Sequence, residues 1–347
     1  MRPRPPDRGD SFWSIWSRRA LSLPAHLGLA VLCVATAPVW VIAALATDAV
    51  TGKLRTLPRS RALAFFALYL GCELAGVAVA GLLWLFTGGG WLGGAERYRQ
   101  ANFSLQRVWA NTLFHGALFL FSMKLEVEGA ELAQRGPLLL FVRHSSTADT
   151  VLAAAIVASP HRLALRYVLK RELLWDPCLD IVGRRLPNAF IDRASRRSHG
   201  EVRAIAKLAQ NLDPSSAVLI YPEGTRFSAQ KLTAAVAALR ARGNAACAEI
   251  AAGFQSVLPP RLGGPLALLE AAPGVDVVFV EHVGFEGAST FARFWSGALV
   301  HQTIHVRLRR VAAAEIPPHH RDRWLFEQWS ETDRWISART PRAGAAR

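Results

Sequence analysis

The sequence predicts an α/β fold, a mixed sheet flanked by helices, with apolar membrane helices ahead of it. Three observations carry this. From residue 124 onward, short apolar runs of β type alternate with helical patterns, the signature of a sheet covered on both faces. Before that, residues 27–47 carry no charge over 21 positions, and residues 62–87 carry only Glu73 over 26. Each stretch exceeds the ~20 apolar residues that cross roughly 30 Å of hydrocarbon. Finally, the 347 residues combine 51% hydrophobic composition with a net charge of +15. That combination excludes general disorder and fits an apolar anchor joined to a basic domain.

Taken in order, residues 1–26 form a basic amphipathic N-terminal segment. Residues 1–10 are Pro- and charge-rich and are expected to be disordered. Residues 11–23 suit either an interfacial helix, with Phe12, Ile15, Trp16 and Leu23 on one face and Arg18 and Arg19 opposite toward an anionic surface, or the charged flank of the first membrane helix. Residues 27–87 hold two membrane helices. Pro38 and the glycines of the second stretch allow either a spanning hairpin or a re-entrant pair. Five Arg precede the first helix, the 48–61 linker holds Lys53, Arg55, Arg59 and Arg61, and Arg97, Arg99 and Arg107 follow the second. This balance slightly favours a cell or inner membrane with the domain on the cytoplasmic side. Glu73 is expected to be neutral or to face an interface, the alternative being a functional intramembrane carboxylate.

Residues 100–123 form an amphipathic helix with Phe103, Val108, Trp109, Leu113, Phe114, Leu118 and Phe121 along its stripe. Residues 124–315 form the main domain. Its strands are expected at 124–128, 138–143, 164–169, 217–221, 276–281 and 303–308, and its helices at 150–158, 199–211 and 229–242. A C-terminal helix follows over 316–338, its pattern clearest from 318, with Leu325, Trp329, Thr332 and Ile336 aligned for packing. A disordered tail ends the chain at 339–347. The four Cys form no C-x-x-C pair, which fits a reduced compartment.

Two segments carry chemistry most directly. His144 leaves an apolar strand and Asp149 follows five residues later. A carboxylate so placed can hold an imidazole tautomer and raise its basicity, as a general base requires. Alone, the same spacing also suits a capping Asp beside a surface His. Tyr221-Pro222-Glu223-Gly224-Thr225-Arg226 follows strand 217–221, at the end of a strand where α/β folds place ligands. Arg226 can bind phosphate in fork geometry, with Glu223 orienting it or a bound hydroxyl. Phe190-Ile191-Asp192-Arg193 lies in a stretch, 162–203, with ten basic residues against five acids. With no nucleic-acid module in view, this excess points to phosphate groups at a membrane rather than to nucleic acid. The ten His show no metal-ligand spacing, so no metal is expected.

Together with Lys170-x-Glu172-Leu173 and the rigid loop Leu258-Pro259-Pro260, these pieces in this order resemble the 1-acylglycerol-3-phosphate acyltransferase family. The resemblance is strongest over about 124–285. Glu223–Arg226 followed by Phe227-Ser228 and Lys231, then Leu258–Arg261, Ile304–Arg310 and Arg323-Trp324…Glu331-Thr332-Asp333, look like the branch holding lysocardiolipin acyltransferases. The sequence departs from the family at Arg143, where Asn usually precedes the histidine.

The resemblance implies a glycerolipid-acyltransferase-like fold and transfer of an acyl group to a lysophospholipid hydroxyl. The donor is a thioester of CoA or acyl carrier protein, used as co-substrate, with no bound cofactor. His144 would be the base and Asp149 its partner. Arg193 and Arg226 would hold the acceptor phosphate, supported by Glu223, Gly224, Thr225, Lys170, Phe190, Ile191 and Pro259. Oxyanion donors are expected at the start of helix 150–158. Two other expectations stay open: an acceptor such as lysocardiolipin, another glycerophospholipid or an aminolipid, and a non-catalytic lipid-binding protein on the same fold.

Overall fold

The computed structural model describes residues 10–146, 148–192 and 198–340. The strands are β1 (Lys124–Glu128), β2 (Leu138–Val142), β3 (Ala164–Lys170), β4 (Ala189–Ile191), β5 (Ser216–Ile220), β6 (Asp276–Val283) and β7 (Thr303–Val311). They form a sheet in the spatial order β1-β7-β6-β2-β5-β3-β4. All neighbours are parallel except β6 and β7. The central strands β2 and β5 are buried throughout, because helices cover both faces of a parallel sheet and leave no polar side. Along β2 the pleat sends Leu138, Leu140 and Val142 into one core and Leu139 and Phe141 into the other.

Six strands fall where the pattern places them, while β4 goes unforeseen because three residues are too few to show a period. The helix expected over 150–158 is replaced by a 3-10 turn at Ala148–Val151 and a π turn at Ala154–Ala158. The C-terminal helix is Arg321–Arg339, and Leu325, Trp329, Thr332 and Ile336 are all fully buried against the sheet.

Ahead of the sheet lie α1 (Phe12–Ala35), α2 (Ala37–Val50), α3 (Pro58–Thr87) and α4 (Ala95–Leu120). The expected division at residue 26 is not there: the basic segment and the apolar run form one continuous α1. The apolar stretch 27–47 is cut instead at Thr36, since Pro38 lacks the N–H that would continue the ladder and its ring crowds the preceding turn. Arg18 and Arg19 are also corrected. They turn inward, each 2.6 Å from a carboxylate oxygen of Asp180. Two opposite charges left in water would gain little, so the pair forms where the domain buries it. Phe12, Trp13 and Trp16 remain exposed on the outer face.

α1 and α3 are long and apolar enough to cross a membrane by length and composition. α3, however, is tied to the domain along much of its length. Arg61 donates to Ser122 Oγ (2.8 Å), Tyr69 Oη to Asp176 (2.9 Å), and Arg185 to the Ala80 carbonyl (2.8 Å). Glu73 is fully buried and accepts from Trp109 Nε1 (2.9 Å) and the Cys178 N–H (3.1 Å). Gly76 permits this approach, as a Cβ there would sit 2.6 Å from Cys178 Sγ.

Candidate active site

β2, β5, β3 and β4 run parallel and lie side by side, so their C-terminal ends share one edge of the sheet. His144 follows β2, Glu223–Arg226 follow β5, Lys170 ends β3, and Phe190 and Ile191 end β4. Residues up to 82 positions apart in sequence thus form a row, with adjacent strands about 4.8 Å apart. Lys170 pairs in register with Ile191. Arg193 lies outside the described residues.

His144 and Asp149 do meet. Nδ1 of His144 lies 3.0 Å from Oδ1 of Asp149. The other carboxylate oxygen accepts from the Ser145 N–H (2.6 Å), the Ser146 N–H (2.8 Å) and Ser145 Oγ (3.2 Å). Burial alone would raise the carboxyl, but the His144 hydrogen bond, His282 and the Ser146 N–H together hold it below the ordinary aspartate value. Asp149 stays ionised, so Nδ1 carries the proton and Nε2 keeps its lone pair as the basic atom. The His144 ring packs on Tyr221 with centroids 4.9 Å apart, and Tyr221 Oη donates to the Asp149 carbonyl at 3.3 Å. Tyr221 was not singled out from sequence for this role. Its signal was only its position beside the Glu-Gly-Thr-Arg run.

Glu223 does not pair with Arg226. It is almost fully buried and accepts the His144 N–H at Oε1 (2.9 Å) and the Leu258 N–H at Oε2 (2.8 Å). Burial outweighs Arg143 and these two donors and raises its carboxyl to about 7. Glu223 therefore joins the His144 loop to the Leu258-Pro259-Pro260 loop, where Pro259 is buried. The second loop is held from behind by Asp333, which accepts the N–H groups of Gln255 (3.0 Å), Ser256 (2.7 Å) and Val257 (3.1 Å). Sequence gave no sign of that contact, which joins positions 76 to 78 residues apart.

Gly224 has φ +71°, a left-handed conformation that favours glycine, and a Cβ there would meet the Arg261 side chain at 2.8 Å, which would have to shift. Arg226 donates to the Ser289 carbonyl (2.5 Å), and Lys231 Nζ reaches Thr225 Oγ1 (3.2 Å) and the Arg226 carbonyl (3.1 Å). Where an α-helix start was expected the chain forms a 3-10 turn at Ala148–Val151, and just ahead of the 150–158 segment the N–H groups of Ser145, Ser146 and Ala148 are bonded to Asp149 or Ser146 Oγ.

Residues 124–259, which hold both the dyad and the Glu-Gly-Thr-Arg turn, match the family model described as Acyltransferase. The crystal structure of the 1-acyl-sn-glycerophosphate (LPA) acyltransferase PlsC from Thermotoga maritima shares the fold. Its TM-score is 0.54 at 18% identity, over 83% of this chain and 98% of that chain. Sheet and site thus define an α/β fold whose residues 124–259 are similar to an acyltransferase domain. A curated relative, 1-acyl-sn-glycerol-3-phosphate acyltransferase epsilon of Mus musculus, is 25% identical over 212 residues. The match covers 57% of this chain and 56% of that protein, so it spans about half the relative's length. Residues 124–259 are thus similar to the Acyltransferase family, and the chain as a whole shares its fold with the Thermotoga maritima protein.

Proposed function

We propose that the chain is a membrane-bound enzyme that moves a fatty acyl group from a CoA or acyl carrier protein thioester to the free hydroxyl of a lysophospholipid. The acceptor we propose is 1-acylglycerol-3-phosphate, giving phosphatidic acid. The observation that supports this best is the 3.0 Å bond from His144 Nδ1 to a fully buried Asp149. It leaves Nε2 free to take the hydroxyl proton as the oxygen attacks the thioester carbonyl. The C–S bond then breaks and His144 returns the proton to the departing thiolate, so no acyl-enzyme forms. Arg226, and Arg193 by family resemblance, are the proposed phosphate contacts, with Lys170, Thr225, Phe190 and Ile191 along the same edge. Glu223 acts by holding the two loops.

Membrane attachment is supported by the exposed apolar faces of α1 and α3, which include Trp13, Val31, Trp84 and Phe86. The ties between α3 and the domain favour a re-entrant, half-immersed arrangement over a free span, because a spanning helix leaves a soluble domain behind. The proposed site is the cytoplasmic face of a cell or inner membrane.

His144→Ala is expected to lower transfer from acyl-CoA to lysophosphatidic acid by about 10²- to 10⁴-fold, while the protein still sediments with membranes. Full activity in that variant removes the dyad assignment. Running the assay against lysocardiolipin and other lysolipids decides the acceptor.

A further inference from the structure

Asp149 has a second histidine beside it. β6 extends past its pairing of Val280 with Val142, and so carries His282 beneath the peptide joining Arg143 to His144. His282 is fully buried. Its Nε2 lies 3.0 Å from the Arg143 carbonyl oxygen and 3.6 Å from Asp149 Oδ2. A carbonyl can only accept, so Nε2 carries the proton. The other end of the same peptide, the His144 N–H, donates to Glu223. Side chains therefore grip the peptide that launches His144 at both its polar ends.

His282 is itself fixed. Arg143 Nη1 donates to the His282 carbonyl (2.6 Å) and to Glu286 Oε1 (2.5 Å), while Glu286 Oε2 accepts the Gly284 N–H (2.7 Å). Arg143, the departure from the family's Asn, thus makes a reciprocal clamp. Its carbonyl receives the His282 ring and its guanidinium holds the His282 backbone. Burial, with Arg143 adding to it, outweighs Asp149 and keeps the imidazole pKa below its ordinary value, so the ring is a neutral donor. Among the described residues nothing bonds to its Nδ1. Packing alone would favour an apolar side chain over a ring with one buried polar atom unmet.

We infer that His282 is a positioning residue for the transfer: its Nε2–H fixes the Arg143–His144 peptide and faces Asp149 Oδ2, so that Oδ1 is presented to His144. The inference rests on the dyad reading above.

The test compares His282→Leu with His282→Gln in the purified full chain, since the Gln amide can place an N–H near the Nε2 position. His282→Leu is expected to lower kcat roughly 10- to 100-fold with KM changed less than about 2-fold, and Gln to restore most of it. A second readout needs no turnover. The low-field proton resonance of His144 Nδ1–H, assigned by its loss in His144→Ala, should shift upfield in the Leu variant and stay in the Gln variant. Wild-type kcat and resonance in His282→Leu overturn the inference. So does a Gln variant as impaired as Leu, because ring volume then explains everything. If His144→Ala proves active, the dyad reading fails by itself, and the resonance still decides whether His282 positions the pair.

Discussion

Asp149 at the sheet edge and Asp180 beneath α1 are both fully buried, yet they are held in opposite ways. Asp149 is surrounded by backbone N–H groups, a hydroxyl and a histidine. Asp180 is surrounded by arginines: Arg18 and Arg19 at 2.6 Å and Arg184 at 3.0 Å. Guanidinium does not give up its proton, so the Asp180 cluster can only lock elements together. Histidine exchanges its proton near neutral pH, so the Asp149 cluster can do chemistry. The same buried charge serves as a rivet in one region and as an orienting group in the other.

The contrast can be broken by substitution. Asp149→Asn should have the largest effect, lowering kcat about 10³- to 10⁴-fold in steady-state kinetics by losing the tautomer that exposes the basic nitrogen. Membrane sedimentation should not change. Asp180→Asn should instead leave Arg19 without its carboxylate and Arg18 and Arg184 with Asp10 alone, at a cost of up to about 3–5 kcal/mol. Hydrogen exchange should rise across α1, while kcat on a short-chain acceptor falls much less than in the Asp149 variant. Equal losses of kcat would mean that the two regions are not separable.

A smaller effect sharpens the comparison through Glu223, whose carboxyl is raised from 4.5 to about 7 by burial. In that window the folded protein keeps a proton that the unfolded chain has released, so stability falls as pH rises through it. The span corresponds to about 3 kcal/mol. Urea unfolding of wild type and Glu223→Gln at several pH values should show the wild type losing more stability than the variant as pH rises through this window. Parallel curves would remove Glu223 as the source of that loss.

Much of the fold was legible because β2, β5 and β6 are apolar runs long enough to register, as are the helices on either side of them. Where legibility failed, the causes differ. The 150–158 segment has a helical pattern, but Asp149 is held by the Ser145 and Ser146 N–H groups in a 3-10 turn at Ala148–Val151, and a π turn follows at Ala154–Ala158. Arg18 and Arg19 have the spacing of a solvated face, and only a partner 161 to 162 residues away turns them inward. Within the candidate site, His144 and Asp149 were visible because they are close in sequence. Tyr221 and Asp333 stood in motifs but their contacts went unread, and His282 went unread altogether, because those contacts cross from other elements.

By itself the sequence determined the alternation of strands and helices, the apolar stretches near the N-terminus, and the His144–Asp149 pair. Each rests on local periodicity or short spacing, which neighbouring residues carry without reference to the rest of the chain. Only the tertiary structure decided what Glu223, Arg143 and Asp180 touch. Those are charged groups whose burial costs free energy until partners from remote segments offset it, and no local pattern says which segments those will be.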